Sequence, residues 1–223
     1  LHFEEPFEKF RTHGMIIKDG AKMSKSRGNV VNPDEYISAY GSDAIRMYLA
    51  FLAPLTQGGD FRDEGIKGIT RFLERIWKIS KSEFLISKQV PNTKTQTLLH
   101  KTIKKVTEDI ESFQYNTAIS SLMILLNEFE KSSAVSKKEF EVFLKLLAPF
   151  APHITEELWW QLQDKSKKIK DKKYKSIHLE PWPKCDPKLI QEETFELIIQ
   201  VNGKVRGRAT LAMNASEEEA KKT

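Results

Sequence analysis

Apolar residues recur at three and four positions from Asp63 to near Leu162, and this period demands a set of helices packed stripe to stripe. Ile66, Ile69, Leu73, Ile76 and Trp77 mark a long amphipathic helix beginning at Asp63. Leu99, Ile103, Val106 and Ile110 mark a second, and Ile119, Leu122, Leu126 and Phe129 a third. Phe140, Phe143, Leu144 and Leu147 begin the last. Pro91-Asn92 and Ser132-Ser133 punctuate them, and connections this short favour antiparallel neighbours in an up-and-down bundle.

The flanks read differently. His13 to Gly20 forms a short apolar strand stopped by a turn, and Ala21 to Val31 is a polar loop. Asn32-Pro33-Asp34-Glu35 supplies a cap, a first-turn proline and acids for a helix that Gly41 ends. Ser42-Asp43 opens another, with Ile45, Tyr48, Leu49 and Leu52 on one face before Pro54. Beyond the bundle, Asp164 to Lys175 holds seven lysines and two aspartates, a self-repelling run that reads as a solvated loop and is assigned no site.

From Phe195 the period changes to two: Phe195, Leu197 and Ile199 alternate before Asn202-Gly203, and Val205, Ala209 and Leu211 follow. This is a β-hairpin. A two-residue turn would mix apolar and charged faces, so an odd loop such as Val201-Asn202-Gly203 is expected. The other face would then carry Lys204, Arg206 and Arg208 in a row, opposite Glu196 and Gln200. Ser216 and Glu219 make a capping box, so a helix begins as the sequence stops and the last domain looks truncated.

Composition sets outer limits. At 223 residues with 30% charged and 39% hydrophobic residues, the chain has room for two or three folded units. No apolar run approaches the length of a membrane span. The N-terminus lacks the pattern of a signal peptide, and the single Cys185 has no disulfide partner, which suits a reducing, cytoplasmic setting. One cysteine and scattered histidines cannot build a closed zinc site. A net charge of +5 is compatible with a polyanionic partner without specifying one.

The chemistry is concentrated in Lys22-Met23-Ser24-Lys25-Ser26-Arg27-Gly28-Asn29. Lysines three apart, with hydroxyls between them on a loop, suit a triphosphate, because reaction at its α-phosphate builds charge on the β and γ oxygens. Gly28 lets such a loop bend. The glycine-rich run of a P-loop is absent. His153 lacks a nucleophile partner and reads as structural. Trp77, Trp159 and Trp160 read as core or bundle-edge residues.

The Lys22 to Ser26 string is identical to the KMSKS signature of class I aminoacyl-tRNA synthetases. The resemblance continues through Gly28 to Pro33, through Tyr40-Gly41-Ser42-Asp43-Ala44-Ile45-Arg46, and through Leu147 to His153 with Glu156-Glu157-Leu158-Trp159. Those segments resemble the leucine, isoleucine, valine and methionine enzymes. Glu5-Pro6-Phe7, Phe61-Arg62-Asp63-Glu64-Gly65 and Val201 to Gly207 look like leucyl enzymes of bacterial type. Asn32 stands where aspartate is more usual, and both residues cap helices.

The resemblance implies a mainly α fold, an antiparallel bundle of the anticodon-binding type. It divides the chain into residues 1–62, the end of a catalytic domain with the KMSKS loop; 63–185, the bundle; and 186–223, a truncated α/β C-terminal tRNA-binding domain that opens with the hairpin. It implies that ATP binds at Lys22, Met23, Ser24, Lys25 and Ser26, with Lys25 and then Lys22 closest to the chemistry. Magnesium would arrive with ATP, without a protein metal site. Lys204, Arg206 and Arg208 would touch tRNA or equally be a solvent face. The complete enzyme would join leucine to ATP, form leucyl-adenylate and charge tRNA(Leu), while this chain, lacking the HIGH-type signature, would be inactive alone. A valyl, isoleucyl or methionyl synthetase and a stand-alone tRNA-binding module are the alternatives.

Overall fold

A computed structural model describes residues 7, 9–81, 85–86, 93–132, 135–163, 175–190, 194–201 and 204–212. The chain divides into two compact units, Leu1–Cys185 and Asp186–Thr223.

The first unit opens with a small sheet. β1 (Ile16–Lys18) turns back into β2 (Ala21–Lys22) through Asp19 and Gly20, both at positive φ (53° and 74°), the geometry that matches the twist of a tight hairpin. α1 (Pro33–Tyr40) starts as its sequence directs, with the Asn32 side chain accepting from the Asp34 amide at 3.2 Å. Gly41, at φ 87°, separates it from α2 (Ser42–Phe51). These two helices form the crossover that a parallel pairing needs, and β3 (Gly59–Phe61) returns alongside β1. That strand was hidden in the sequence by Gly58 and Gly59. Close approach explains them in part: a Cβ at Gly14 would lie 2.0 Å from the Gly58 nitrogen, and one at Gly58 would lie 2.1 Å from the Met15 carbonyl oxygen.

The bundle follows as α3 (Asp63–Lys81), β4 (Leu85–Ile86), α4 (Thr93–Glu111), α5 (Tyr115–Lys131), β5 (Val135–Ser136), α6 (Lys137–Leu147) and α7 (Pro152–Leu162). The stretch from Phe140 to Leu162 is thus two helices, because Pro149 and Pro152 cannot donate to the turn before them. A short parallel pairing of β4 with β5 had no counterpart in the sequence pattern. Ser136 and Glu139 form a reciprocal capping box at the start of α6.

The apolar stripes meet as expected. Ile66, Ile69, Ile76, Val106, Ile119, Leu122, Leu126, Phe140, Phe143 and Leu147 are all buried. The same core continues without a break into Ala44, Met47 and Tyr48 of α2 and Phe61 of β3. The strands that carry the Lys22 to Ser26 loop therefore share their foundation with the bundle. Phe61 is the joint: Tyr36 and Tyr48 each meet it edge-on with ring centroids 5.0 Å apart. Trp159 is buried and donates to the Lys175 carbonyl at 3.2 Å, whereas Trp77 and Trp160 sit at the bundle edge, 38% and 48% exposed.

The second unit contains β6 (Thr194–Val201) and β7 (Lys204–Ala212), an antiparallel pair described by its backbone. Val201 pairs with Lys204, so the expected odd loop is replaced by a two-residue connection. A register shift between Ile199 and Gln200 then makes up the missing residue: Gln200 pairs with Val205 but Ile199 pairs with Gly207. Phe195 pairs with Leu211 and Leu197 with Ala209, whereas Val205 pairs with Gln200, so beyond the shift apolar positions oppose one another and near the turn they do not. The shift falls at Arg206, so the continuous row Lys204, Arg206, Arg208 is interrupted there, and Arg208 pairs with Ile198. Asn202, Gly203, the lysine-rich run over 164–174 and the capping box at Ser216 and Glu219 lie outside the described residues.

Candidate nucleotide-binding loop

Lys22 ends β2, and Met23, Ser24, Lys25 and Ser26 follow it in one continuous segment that leads to α1. Met23 is half-buried against the core and plugs the loop onto the fold. Ser24, extended at φ −150° and ψ 136°, leads into a single 3₁₀ turn over Lys25–Arg27. The turn is closed by Arg27 donating to the Ser24 carbonyl at 3.1 Å and Gly28 to the Lys25 carbonyl at 3.2 Å. Gly28 takes the left-handed conformation (φ 66°) and reverses the chain. Asn29 consequently reaches back, its Oδ1 accepting from the Ser24 amide at 2.8 Å and its Nδ2 donating to the Lys22 carbonyl at 3.2 Å.

What the loop presents outward is charge and hydroxyl. Lys22, Lys25 and Arg27 are exposed, and none of them pairs with a carboxylate among the described residues. The Ser24 and Ser26 hydroxyls share a hydrogen bond of 2.8 Å and retain capacity for another partner. Exposed cations without internal partners, on a backbone held from behind, fit a polyphosphate: the anion gains pairing without first displacing an internal carboxylate. Among the described residues no group of three or more His, Cys, Asp and Glu could hold a metal ion.

Two carboxylates fasten the strands beneath. Asp60, on β3, accepts from the Gly20 amide at 3.1 Å and from Arg62 Nε at 3.0 Å, and the Gly20 contact leads in holding its carboxyl below the ordinary aspartate value. Asp63, at the start of α3, accepts from Lys18 Nζ at 2.8 Å and Tyr36 Oη at 2.5 Å. The Lys18 hydrogen bond, then that of Tyr36, depresses the Asp63 carboxyl. In return Asp63 raises the Lys18 ammonium, and burial followed by Asp63 raises the Tyr36 phenol. One carboxylate thereby ties β1, α1 and α3 together, and with them both stems of the loop.

A third carboxylate acts at longer range. Asp43, buried in the first turn of α2, does not cap its own helix. Its Oδ1 accepts from His153 Nδ1 at 2.7 Å and from the His153 amide at 3.3 Å, and its Oδ2 accepts from the Ile154 amide at 2.7 Å. These are orphan donors of the first turn of α7. His153 is therefore a structural hydrogen-bonding residue.

The sequence located the loop but not its supports. Asn29, Asp60, Asp63, Lys18, Tyr36 and Asp43 are ordinary polar residues, each with a partner between five and 111 positions away. Only Asn29 carried a local signal, an amide next to a glycine that can reverse the chain. Lys204, Arg206 and Arg208 belong to the second unit, on β7.

Comparison with known proteins places this geometry in a class. Residues 92–221 match the anticodon-binding domain of tRNA ligase, and residues 1–62 match the class I tRNA synthetases of the I, L, M and V group. The chain belongs to this class I tRNA ligase family through its anticodon-binding domain. Within it, the relatives are leucine–tRNA ligases. That of Dehalococcoides mccartyi is 42% identical over 232 residues, covering 100% of this chain and 27% of that protein. That of Thermotoga maritima is 42% identical over 243 residues, covering 100% of this chain and 28% of that protein. A ternary complex of Agrobacterium radiobacter K84 agnB2 LeuRS, tRNA and LeuAMS superposes with a TM-score of 0.78 at 31% identity, covering 99% of this chain and 30% of that one. The chain thus spans less than a third of the length of the proteins it matches.

Proposed function

We propose that this chain is the part of a leucine–tRNA ligase that closes over ATP and holds tRNA(Leu). The observation that carries the proposal is the Lys22 to Ser26 loop: exposed cations that pair with no carboxylate among the described residues stand on a backbone fastened to the core that also builds the bundle. The 42% identity to leucine–tRNA ligases over the whole chain supports leucine as the substrate.

In the complete ligase, a carboxylate oxygen of leucine attacks the α-phosphate of ATP and pyrophosphate leaves. Charge accumulates on the leaving oxygens, where Lys25 and then Lys22 stabilise it more strongly than in the ground state. The Ser24 and Ser26 hydroxyls and the loop amides add hydrogen bonds. Magnesium, arriving with ATP, would supply screening of the same charge. A ribose hydroxyl of the terminal adenosine of tRNA then attacks the leucyl carbonyl of the adenylate, forming the ester and releasing AMP, while the bundle holds the tRNA and Lys204, Arg206 and Arg208 of β7 contribute phosphate contacts. The ligase works in the cytoplasm. Among the described residues no helix is long and apolar enough to cross a membrane.

Amino-acid-dependent ATP–pyrophosphate exchange tests the assignment. The full-length ligase carrying these residues exchanges with leucine and not with valine, isoleucine or methionine. Exchange driven by valine instead would move it to another member of the group.

A further inference from the structure

We propose that Asn29 is a positioning residue for adenylate formation, a two-sided amide clamp that fixes the spacing of Lys22 and Lys25; this rests on the ATP-binding role proposed for the loop. Asn29 makes two bonds of opposite sense, accepting from the Ser24 amide at 2.8 Å and donating to the Lys22 carbonyl at 3.2 Å. Those two groups flank Met23, so the carboxamide spans the backbone that the half-buried methionine pins to the core. Lys22 is thereby fixed at its own carbonyl. Lys25 is fixed one residue beyond Ser24, on the 3₁₀ turn that the Arg27 and Gly28 amides close. Both lysine side chains remain exposed. The clamp constrains where they start without consuming their charge.

The residue type follows from the contacts. An aspartate at 29 could accept from Ser24, but would set a carboxylate oxygen against the Lys22 carbonyl and offer the two lysines an internal anion. An alanine would satisfy neither group. Gly28 is needed for the return of the chain: its φ of 66° is the constraint, since a Cβ there would meet nothing within 4 Å. Asn29 is half-buried and has no described contact with the bundle helices, so its loss acts on the loop rather than on the fold. Positioned cations matter to catalysis through geometry, and a misplacement of about 1 Å can cost on the order of 10²-fold in rate.

The test uses the full-length ligase carrying these residues, with Asn29→Ala, Asn29→Asp and Lys25→Ala compared in leucine-dependent ATP–pyrophosphate exchange. Both Asn29 variants lower kcat by at least about tenfold, approaching 10²-fold, while Tm and the KM for leucine stay at wild-type values. Amide hydrogen exchange at Ser24 accelerates in Asn29→Ala and stays slow in Asn29→Asp, so the aspartate separates losing the donor from losing the acceptor. Wild-type kcat in either Asn29 variant, with Lys25→Ala impaired, overturns the clamp and leaves the ATP-binding role standing. Loss of kcat accompanied by a lower Tm and weaker leucine binding also overturns it, since a general structural role has that signature. Lys25→Ala with wild-type exchange overturns the ATP-binding role, and the clamp with it.

Discussion

Asp43 and His153 lie 110 residues apart in sequence, yet the Asp43 carboxylate accepts from His153 Nδ1 at 2.7 Å while also capping the backbone at the start of α7. The relationship joins two segments that look unrelated when read linearly, Gly41-Ser42-Asp43-Ala44 and Ala151-Pro152-His153. It locks α2 to α7 at the end of the bundle.

Replacing Asp43 removes acceptors from orphan amides that α7 cannot satisfy internally. Asp43→Ala is expected to destabilise the chain by about 2 kcal/mol, the upper end for a lost cap. Asp43→Asn, which keeps one acceptor oxygen, loses less. Urea unfolding checks this: the midpoint falls in the order wild type, Asn, Ala, with the slope unchanged.

Phe61 supports the sheet that carries the loop. Buried to 1% exposure between Tyr36 and Tyr48, it leaves a large void when cut to alanine. Phe61→Ala should cost about 3–5 kcal/mol, and Phe61→Leu less. Thermal unfolding of the two variants gives the ranking. A loss below about 1 kcal/mol for alanine would mean the site collapses to fill the space.

Acid should release a tie between α3 and α5. Arg75 Nε donates to Glu130 Oε1 at 2.8 Å, and Arg75 also reaches Asn127 Oδ1 at 2.6 Å. The Arg75 hydrogen bond is the leading cause holding the Glu130 carboxyl below its ordinary value of 4.5. A depressed folded-state pKa means the stabilisation is fully present above the unfolded value and disappears as pH falls through the folded one. With both side chains more than a third exposed, solvent screening keeps it below about 1 kcal/mol. Arg75→Met is therefore expected to lower Tm by no more than about 2–4 °C at neutral pH. The difference from wild type should shrink as pH drops below 4.5, which Tm measured across pH for the two proteins will show.

Salt dependence reports on β7. If Lys204, Arg206 and Arg208 each neutralise a tRNA phosphate, changing all three to glutamine flattens the plot of log affinity against log salt by about 2 to 3. An unchanged slope would identify them as the solvent face of the strand.

How far the sequence reached depended on how local each determinant is. Helical period is written in residues three and four apart, so α3, α4 and α5 were legible from Ile66, Leu99 and Ile119 and their repeats. The Lys22 to Ser26 loop was legible because its chemistry is contiguous. β3 was not, since a three-residue strand bearing Gly59 has no period to detect. The hairpin itself was legible from Phe195, Leu197 and Ile199, but the odd loop expected from them is not present: the connection is two residues long, and a register shift at Arg206 restores apolar pairing only beyond it, at Leu197 and Phe195. The supports of the loop escaped because Asp60, Asp63 and Asp43 owe their roles to partners on other elements, and no single-chain pattern announces such pairs.

Lys25 is proposed to stabilise the charge that leaves as pyrophosphate. Leucine-dependent ATP–pyrophosphate exchange by the full-length ligase, wild type against Lys25→Ala, measures it most directly. The account predicts a fall in kcat of about 10²- to 10³-fold, with Tm unchanged because Lys25 is exposed and pairs with no carboxylate among the described residues. Exchange at the wild-type rate in Lys25→Ala would contradict it.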